Sequence, residues 1–459
     1  MSNLFRLLLP LVLLSASLFA NDVNIQNESI NLTNTWVGWL SLLVFVVAYY
    51  FIATEEQYEV NKAKPALFAG TFMFFLIGIY YSINGLSTHE LHNELETLIL
   101  EISEIFFFLL VAMTYIETLL ERRVFDLMKY KLVSNGYTYK KLFWLTGLIA
   151  FFVSPVADNL TTALILSTVL YTIDKTNIKF LVPGAINIVV AANAGGAWSP
   201  FGDITTLMAW TANKAQFIDF LYLFPVSIIG WFVTAFLLSK SVPDGSPDFN
   251  SADEKKPVLK DGAMGVVYLG VFTISLAVLG HQFFDFPAMW GMMFGMALLK
   301  FHSVGLEKKG MKAFNIYTNM QKIENDTLLF FFGILSAVGA LHVLGFLEYI
   351  HHLYDILGPS FTNIGVGFIS AIVDNVPVMS AILKSSPVMS VDQWLLVTLT
   401  AGIGGSLISF GSAAGVGVMG RLKGIYTFGS HMKHSWAILL GYIVSISIWY
   451  FQFEILGLY

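Results

Sequence analysis

Ser154-Pro-Val-Ala-Asp158-Asn159 and Ser370-Ala-Ile-Val-Asp374-Asn375 stand 216 residues apart, each a polar break inside a long apolar stretch. A second echo follows each of them. Gly195-Gly196-Ala-Trp-Ser-Pro-Phe201-Gly202-Asp203 is matched by Gly404-Gly405-Ser-Leu-Ile-Ser-Phe410-Gly411-Ser412, at an offset of 209. Ahead of them, Phe106-Phe107-Phe108 is echoed by Phe330-Phe331-Phe332. One match among 40 phenylalanines could be chance, but two ordered matches with similar offsets mark an internal duplication.

The surrounding composition sets the solvent. Of 459 residues, 56% are hydrophobic and 12% charged, whereas a soluble domain carries about 25% charge. That excludes a soluble globular enzyme of this length. The net charge of −6 and the lack of a basic stripe exclude nucleic acid as a partner. Without cysteine there is no disulfide, thiolate metal site or cysteine nucleophile. The fold class is therefore an all-α polytopic membrane protein in a lipid bilayer.

Met1–Ala20 reads as a signal peptide: Arg6, an apolar run over 7–14, then small residues before Asn21-Asp22. Crossings are expected near 36–53, 66–83, 99–120, 217–239, 264–280, 287–303, 327–348 and 435–457, with interrupted regions over 142–212 and 362–420. A hydrophilic cytoplasmic linker over 240–262 separates an N-terminal transmembrane repeat, 21–239, from a C-terminal one, 263–459. Each interrupted region reads as a re-entrant hairpin followed by one broken crossing helix. With the segment after the signal outside, every Lys and Arg falls inside except Arg6, Lys214 and Lys384, as basic residues prefer. Charge alone does not prove re-entrance, because counting each hairpin arm as a full span leaves the parity unchanged. Each repeat has five crossings, an odd number, so the second copy is inverted. Inverted repeats with broken helices are a transporter architecture.

A carboxylate in a membrane span costs about 2.5–3.5 kcal/mol on insertion scales. Backbone that leaves the helix there must line a cavity or be buried in protein, and Pro155, Pro200, Pro377 and the paired glycines enforce such breaks. Asp158 and Asp374 are the main candidate ion carriers, and Asp203 a third. Thr161, Thr162, Asn193, Ser199, Ser409 and Ser412 add hard oxygens suited to a small cation. A carboxylate so placed holds H⁺ or a metal ion in competition. The plainer alternative is that these Asp and Asn residues merely cap half-helices. Ser412 occupies the place of a second Asp203, so the halves are not equivalent.

S-P-V-A-D158-N-L-T-T-A, N-A-G-G-A-W-S-P-F-G-D203-I-T-T, S-A-I-V-D374-N-V-P and G-S412-A-A-G-V-G-V-M-G resemble the NhaD-type Na⁺/H⁺ antiporters of the ion transporter superfamily. The resemblance covers nearly the whole chain after the signal. It implies two hairpins, two broken helices, a dimerising scaffold, and exchange of cytoplasmic Na⁺ or Li⁺ for external protons across a bacterial inner membrane. It also implies a homodimer, a role in salt and alkali tolerance, and no cofactor beyond the transported ions. On that basis Asn159 and Asn375 are sodium-ligand candidates beside Asp158 and Asp374, with Gly195 and Gly404 as carbonyl donors. Dicarboxylate-moving relatives carry Ser-Asn-Thr tips, and the carboxylates here favour a cation instead.

Glu104 is a candidate for a proton path, and so is Glu117, which could instead pair with Arg122 or Arg123. Thr114 reads as a packing hydroxyl, and Thr205 and Thr206 as oxygens of a helix start. His89 and His92 fall in an expected outer loop, His431 and His434 in an inner one. Any of these could sense pH, but loop histidines are expected to be solvated, and His342 to donate between helices. Two rival functions are a sodium-coupled dicarboxylate or oxyanion transporter of the same fold and an intramembrane aspartyl protease. Repelling carboxylates count against the first. Against the second, each Asp sits in its own repeated motif, and Phe201-Gly202-Asp203 lacks a preceding glycine.

Overall fold

Apolar residues fill runs of about 20, the length that carries a helix across a bilayer, and the chain folds accordingly. The computed structural model describes residues 31–58, 60–247 and 256–458. The expected signal peptide and the middle of the expected linker lie outside the described residues. Among the described residues there is no strand, and nine helices are long and apolar enough to cross a membrane.

In the first half, α1 (Trp36–Ala53), α2 (Ala63–Ile83) and α3 (Thr88–Glu121) precede α4 (Tyr139–Ala157) and α5 (Asn159–Ile173). Then come α6 (Ile178–Gly196), α7 (Ile204–Thr211) and α8 (Leu223–Ser239). The second half runs α9 (Ala263–Phe284), α10 (Ala288–Lys308), α11 (Asn325–Val343) and α12 (Glu348–Leu357). It continues with α13 (Pro359–Ile372), α14 (Asn375–Ser385), α15 (Val391–Gly404), α16 (Ala413–Arg421) and α17 (Ser435–Tyr450).

Two expectations shift. The crossing expected at 99–120 is the 34-residue α3, about 51 Å long at 1.5 Å per residue. Leu91, Leu98, Ile102, Ile105 and Leu109 recur on one buried face, so helical packing extends through the expected outer loop that holds His89 and His92. The expected crossing at 287–303 is a helix, α10, but Lys300 and His302 leave it outside the nine most apolar ones. It packs along α9 and α3.

The core is built from the interrupted regions. Every residue of α6 from Phe180 to Gly196 is buried, and so is every residue of α15 from Gln393 to Gly404. The two halves pack on each other through α2 against α11 and α8 against α17. At the first crossing a side chain on Gly70 would strike the Gly333 carbonyl, and one on Gly333 the backbone of Ala66 and Leu67. Small residues permit that close backbone approach in membrane helices.

Candidate functional site

Four chain breaks converge on this core. α4 carries Pro155, which removes a helical donor near its end. The chain then turns at Asp158, with φ 54° and ψ 162°, a conformation costing about 1–3 kcal/mol for a non-glycine residue. Its carboxylate offsets part of that cost by capping α5: Oδ1 accepts from the Thr161 N–H and Oδ2 from the Thr161 hydroxyl, both at 2.8 Å. Asp203 caps α7 through the Thr205 N–H at 3.3 Å. Ser412 caps α16 through the Gly415 N–H at 3.3 Å. Asp374 precedes α14 but makes no side-chain cap bond. Of the two Asp-Asn pairs, the first thus caps the helix it precedes through Asp158, and Asp374 does not cap its own.

The breaks are braced in matching ways. The Ser154 hydroxyl donates to the Ala192 carbonyl at 2.6 Å, and the Ser370 hydroxyl to the Ala401 carbonyl at 2.7 Å. Gly195 lies against the Phe151 carbonyl, and Gly404 against that of Gly367. Both glycines are thus required by close backbone approach. Ser199 donates to the Pro155 carbonyl at 2.9 Å, and Thr206 to those of Ser199 and Asp203.

Two polar clusters cross between the halves. In one, the Asn159 amide donates to Asn193 Oδ1 at 3.0 Å, and the Asn193 amide donates to Ser406 Oγ at 2.7 Å and Ser412 Oγ at 2.9 Å. In the other, the Asn375 amide donates to both carboxylate oxygens of Asp203, at 3.2 and 3.0 Å. Gly402 stands where the 209 offset would repeat Asn193, and a Cβ there would lie 3.2 Å from Asp203 Oδ2. The Asp203 carboxylate thus comes close to the room a side chain at 402 would fill.

Asp203 is 4% exposed, and among the described residues no Lys, Arg or His pairs with it. Asp374 is near enough for the two charges to interact. Its N–H donates to the Tyr49 hydroxyl at 2.7 Å, and Lys62 Nζ lies 3.6 Å from its Oδ2. No hydrogen bond joins Asp158 to Asp374 among the described residues; the amides of Asn375, to Asp203, and of Asn193, to Ser406 and Ser412, link the halves instead. Asp374 Oδ1 and the hydroxyls of Thr162, Thr205 and Ser409 are buried with no hydrogen-bond partner among the described residues. Such oxygens are available to a cation. Tyr49 and Lys62 were not legible as site residues: one lies within an apolar span, the other reads as a loop lysine.

Other expectations fall elsewhere. Glu104 has His281 and Glu101 as its charged neighbours. Glu117 does not pair with Arg122 or Arg123 but faces Lys322 and Glu324; Arg122 pairs with Glu121 at 2.5 Å instead. Thr114 donates within its own helix, to Leu110. His342 is exposed among the charges of Lys384, Glu94, Glu101 and Glu348, without the expected interhelical bond among the described residues. His431 is not a solvated loop residue. It is buried, accepting from the Tyr426 hydroxyl and donating to the Ser406 carbonyl.

A multi-pass helical membrane protein whose broken helices bring amides and carboxylates together in its core is, by class, a membrane transport protein. The comparison with known proteins agrees. The citrate transporter family model matches residues 49–402, and the chain belongs to that family. It is 43% identical to the Na⁺/H⁺ antiporter NhaD of Vibrio cholerae, over 92% of this chain and 93% of that protein. The NhaD antiporter of Halomonas elongata is 40% identical over 91% and 89%. Sodium/proton antiporter 1 of Arabidopsis thaliana is 31% identical over 88% and 71%. The resemblance carried by the Asp-Asn motifs therefore extends along most of the chain.

Proposed function

We propose that this protein is a secondary active antiporter that exchanges cytoplasmic Na⁺ or Li⁺ for external protons by alternating access. The observation that carries the reading is Asp203: a buried carboxylate held by an amide and by its own helix start, without a cationic partner among the described residues. A bare carboxylate is costly in that environment, so a proton or a metal ion has to accompany it. Asp374, Asn375 and the unpartnered oxygens of Thr162, Thr205 and Ser409 supply further ligands. Asp158 keeps lone pairs beyond the two bonds from Thr161. The family name refers to citrate, but three carboxylates around the core would repel that anion, and the similar curated proteins are sodium/proton antiporters.

The topology that fits is two inverted repeats, each with five crossings, including a broken helix, and a re-entrant hairpin. The paired contacts of Ser154 and Ser370, and of Gly195 and Gly404, support the duplication. α13 and α14, at 14 and 11 residues, rise only about 21 and 17 Å, less than the roughly 30 Å of a bilayer core. Basic residues then face the cytoplasm. A cleaved leader, a homodimer in a bacterial inner membrane, and a role in pH homeostasis complete the reading, with a transporter's action rather than an enzyme's.

The test is dissipation of a pH gradient in proteoliposomes. Na⁺ and Li⁺ should collapse it, and K⁺, succinate and citrate should not. Asp203→Asn and Asp374→Asn should each cut sodium-driven proton flux more than about tenfold, because an amide cannot trade a proton for a cation. Full exchange by both variants would falsify the assignment.

A further inference from the structure

Lys62 and Asp374 come from opposite halves of the chain and meet beside the core, with Nζ 3.6 Å from Oδ2 and side chains 16% and 12% exposed. At that separation the contact is a charge pair more than a saturated hydrogen bond. The ammonium also lies 4.4 Å from the centre of the Phe330 ring, a favourable seat for a cation. The other carboxylate oxygen, Oδ1, is buried with no hydrogen-bond partner among the described residues.

Lys62 also lines a cavity of about 430 Å³. Glu55, Glu324 and Asp326 share its lining with Leu160, next to the Asp158 break, and Ala413, next to the Ser412 break. The Lys62 N–H already donates to Glu55 Oε1 at 3.1 Å. The charged groups facing the ammonium are therefore Asp374 on the core side and Glu55, Glu324 and Asp326 around the cavity.

We propose that Lys62 is a tethered competitor for the transported cation. It neutralises Asp374 when no ion is bound, and it yields that carboxylate to a sodium ion arriving through the cavity. This rests on the antiport reading above. The lysine charge does two things at once. It spares the empty site a bare carboxylate, and it sets sodium affinity low enough for release, because binding must displace an existing partner. The displaced ammonium has Glu55, Glu324 and Asp326 within the same cavity to receive it.

The test compares wild type, Lys62→Gln and Lys62→Arg in proteoliposomes over a sodium titration at fixed pH. For Lys62→Gln the half-saturating sodium concentration should fall by about tenfold, the scale of one partly buried charge contact. The maximal rate should fall with it, since release slows. Lys62→Arg should restore values near wild type. A Lys62→Gln protein with unchanged or raised half-saturation overturns the proposal. If that variant transports nothing, the purified protein is titrated with NaCl and its thermal midpoint followed, since a ligand stabilises the state it binds. Stabilisation at lower sodium than wild type supports the proposal, and stabilisation at equal or higher sodium overturns it. Wild type that fails to exchange at all sinks the antiport reading, while the thermal titration still decides the role of Lys62.

Discussion

His431 is wired into the core by both ring nitrogens. Its Nδ1 accepts from the Tyr426 hydroxyl at 2.7 Å and its Nε2 donates to the Ser406 carbonyl at 2.9 Å. That pattern is the one the neutral imidazole makes, since Nε2 must donate to the carbonyl and Nδ1 is left to accept. Burial pushes its pKa down to about 4, against the hydrogen bonds to the backbone that oppose the shift. An unfolded histidine titrates near 6.5. Between those values the unfolded chain binds the proton and the folded one does not, so stability is present above about pH 6.5 and is lost as pH falls toward 4. Thermal unfolding of the purified protein should show a midpoint that declines across that window. His431→Gln should lower the midpoint at pH 8 and flatten the decline. A variant whose curve stays parallel to wild type would assign the acid sensitivity to other groups. Because Ser406 Oγ also receives the Asn193 amide, the substitution should loosen that cluster too.

At the scale of elements, the breaks were legible because each combines proline or glycine with a buried polar pair, which no continuous helix needs. Sequence pairs equivalent positions, Asp158 with Asp374, since duplication preserves spacing. Contact instead joins non-equivalent ones, Asn375 to Asp203 and Asn159 to Asn193, because each Asp-Asn break lies against the other type of break. Gly402 is the clearest instance: it carries no chemistry of its own and reads as one glycine among 37. Its missing side chain leaves room beside Asp203. Gly402→Ala should crowd that carboxylate at a cost of about 1 kcal/mol, the low end for overpacking a core. Half-saturating sodium should then rise about fivefold with the thermal midpoint little changed. A sodium curve identical to wild type would mean that Asp203 can shift without loss.

For the whole molecule, alternating access requires that some interfaces slide and others stay fixed. The α2–α11 crossing, where Gly70 meets Gly333 backbone to backbone, has no slack for sliding. α5 and α16 also pack together, with Arg421 Nε donating to the Thr168 hydroxyl at 2.7 Å. A different kind of contact joins α14 to α3: Lys384 Nζ and Glu101 Oε2, 2.6 Å apart, with Glu101 half exposed. Lys384 is 14% exposed, but solvent at Glu101 screens the pair, and exposed pairs are worth only about 0–1 kcal/mol, so the contact is a candidate to break in every cycle. The chain has no cysteine, so introduced pairs report without background. Glu101→Cys with Lys384→Cys, joined by a short bis-maleimide, should abolish exchange. Thr168→Cys with Arg421→Cys, joined the same way, should leave most of it if α5 and α16, packed together, move as one body. Exchange that survives the first cross-link would place the sliding surface elsewhere than between α14 and α3.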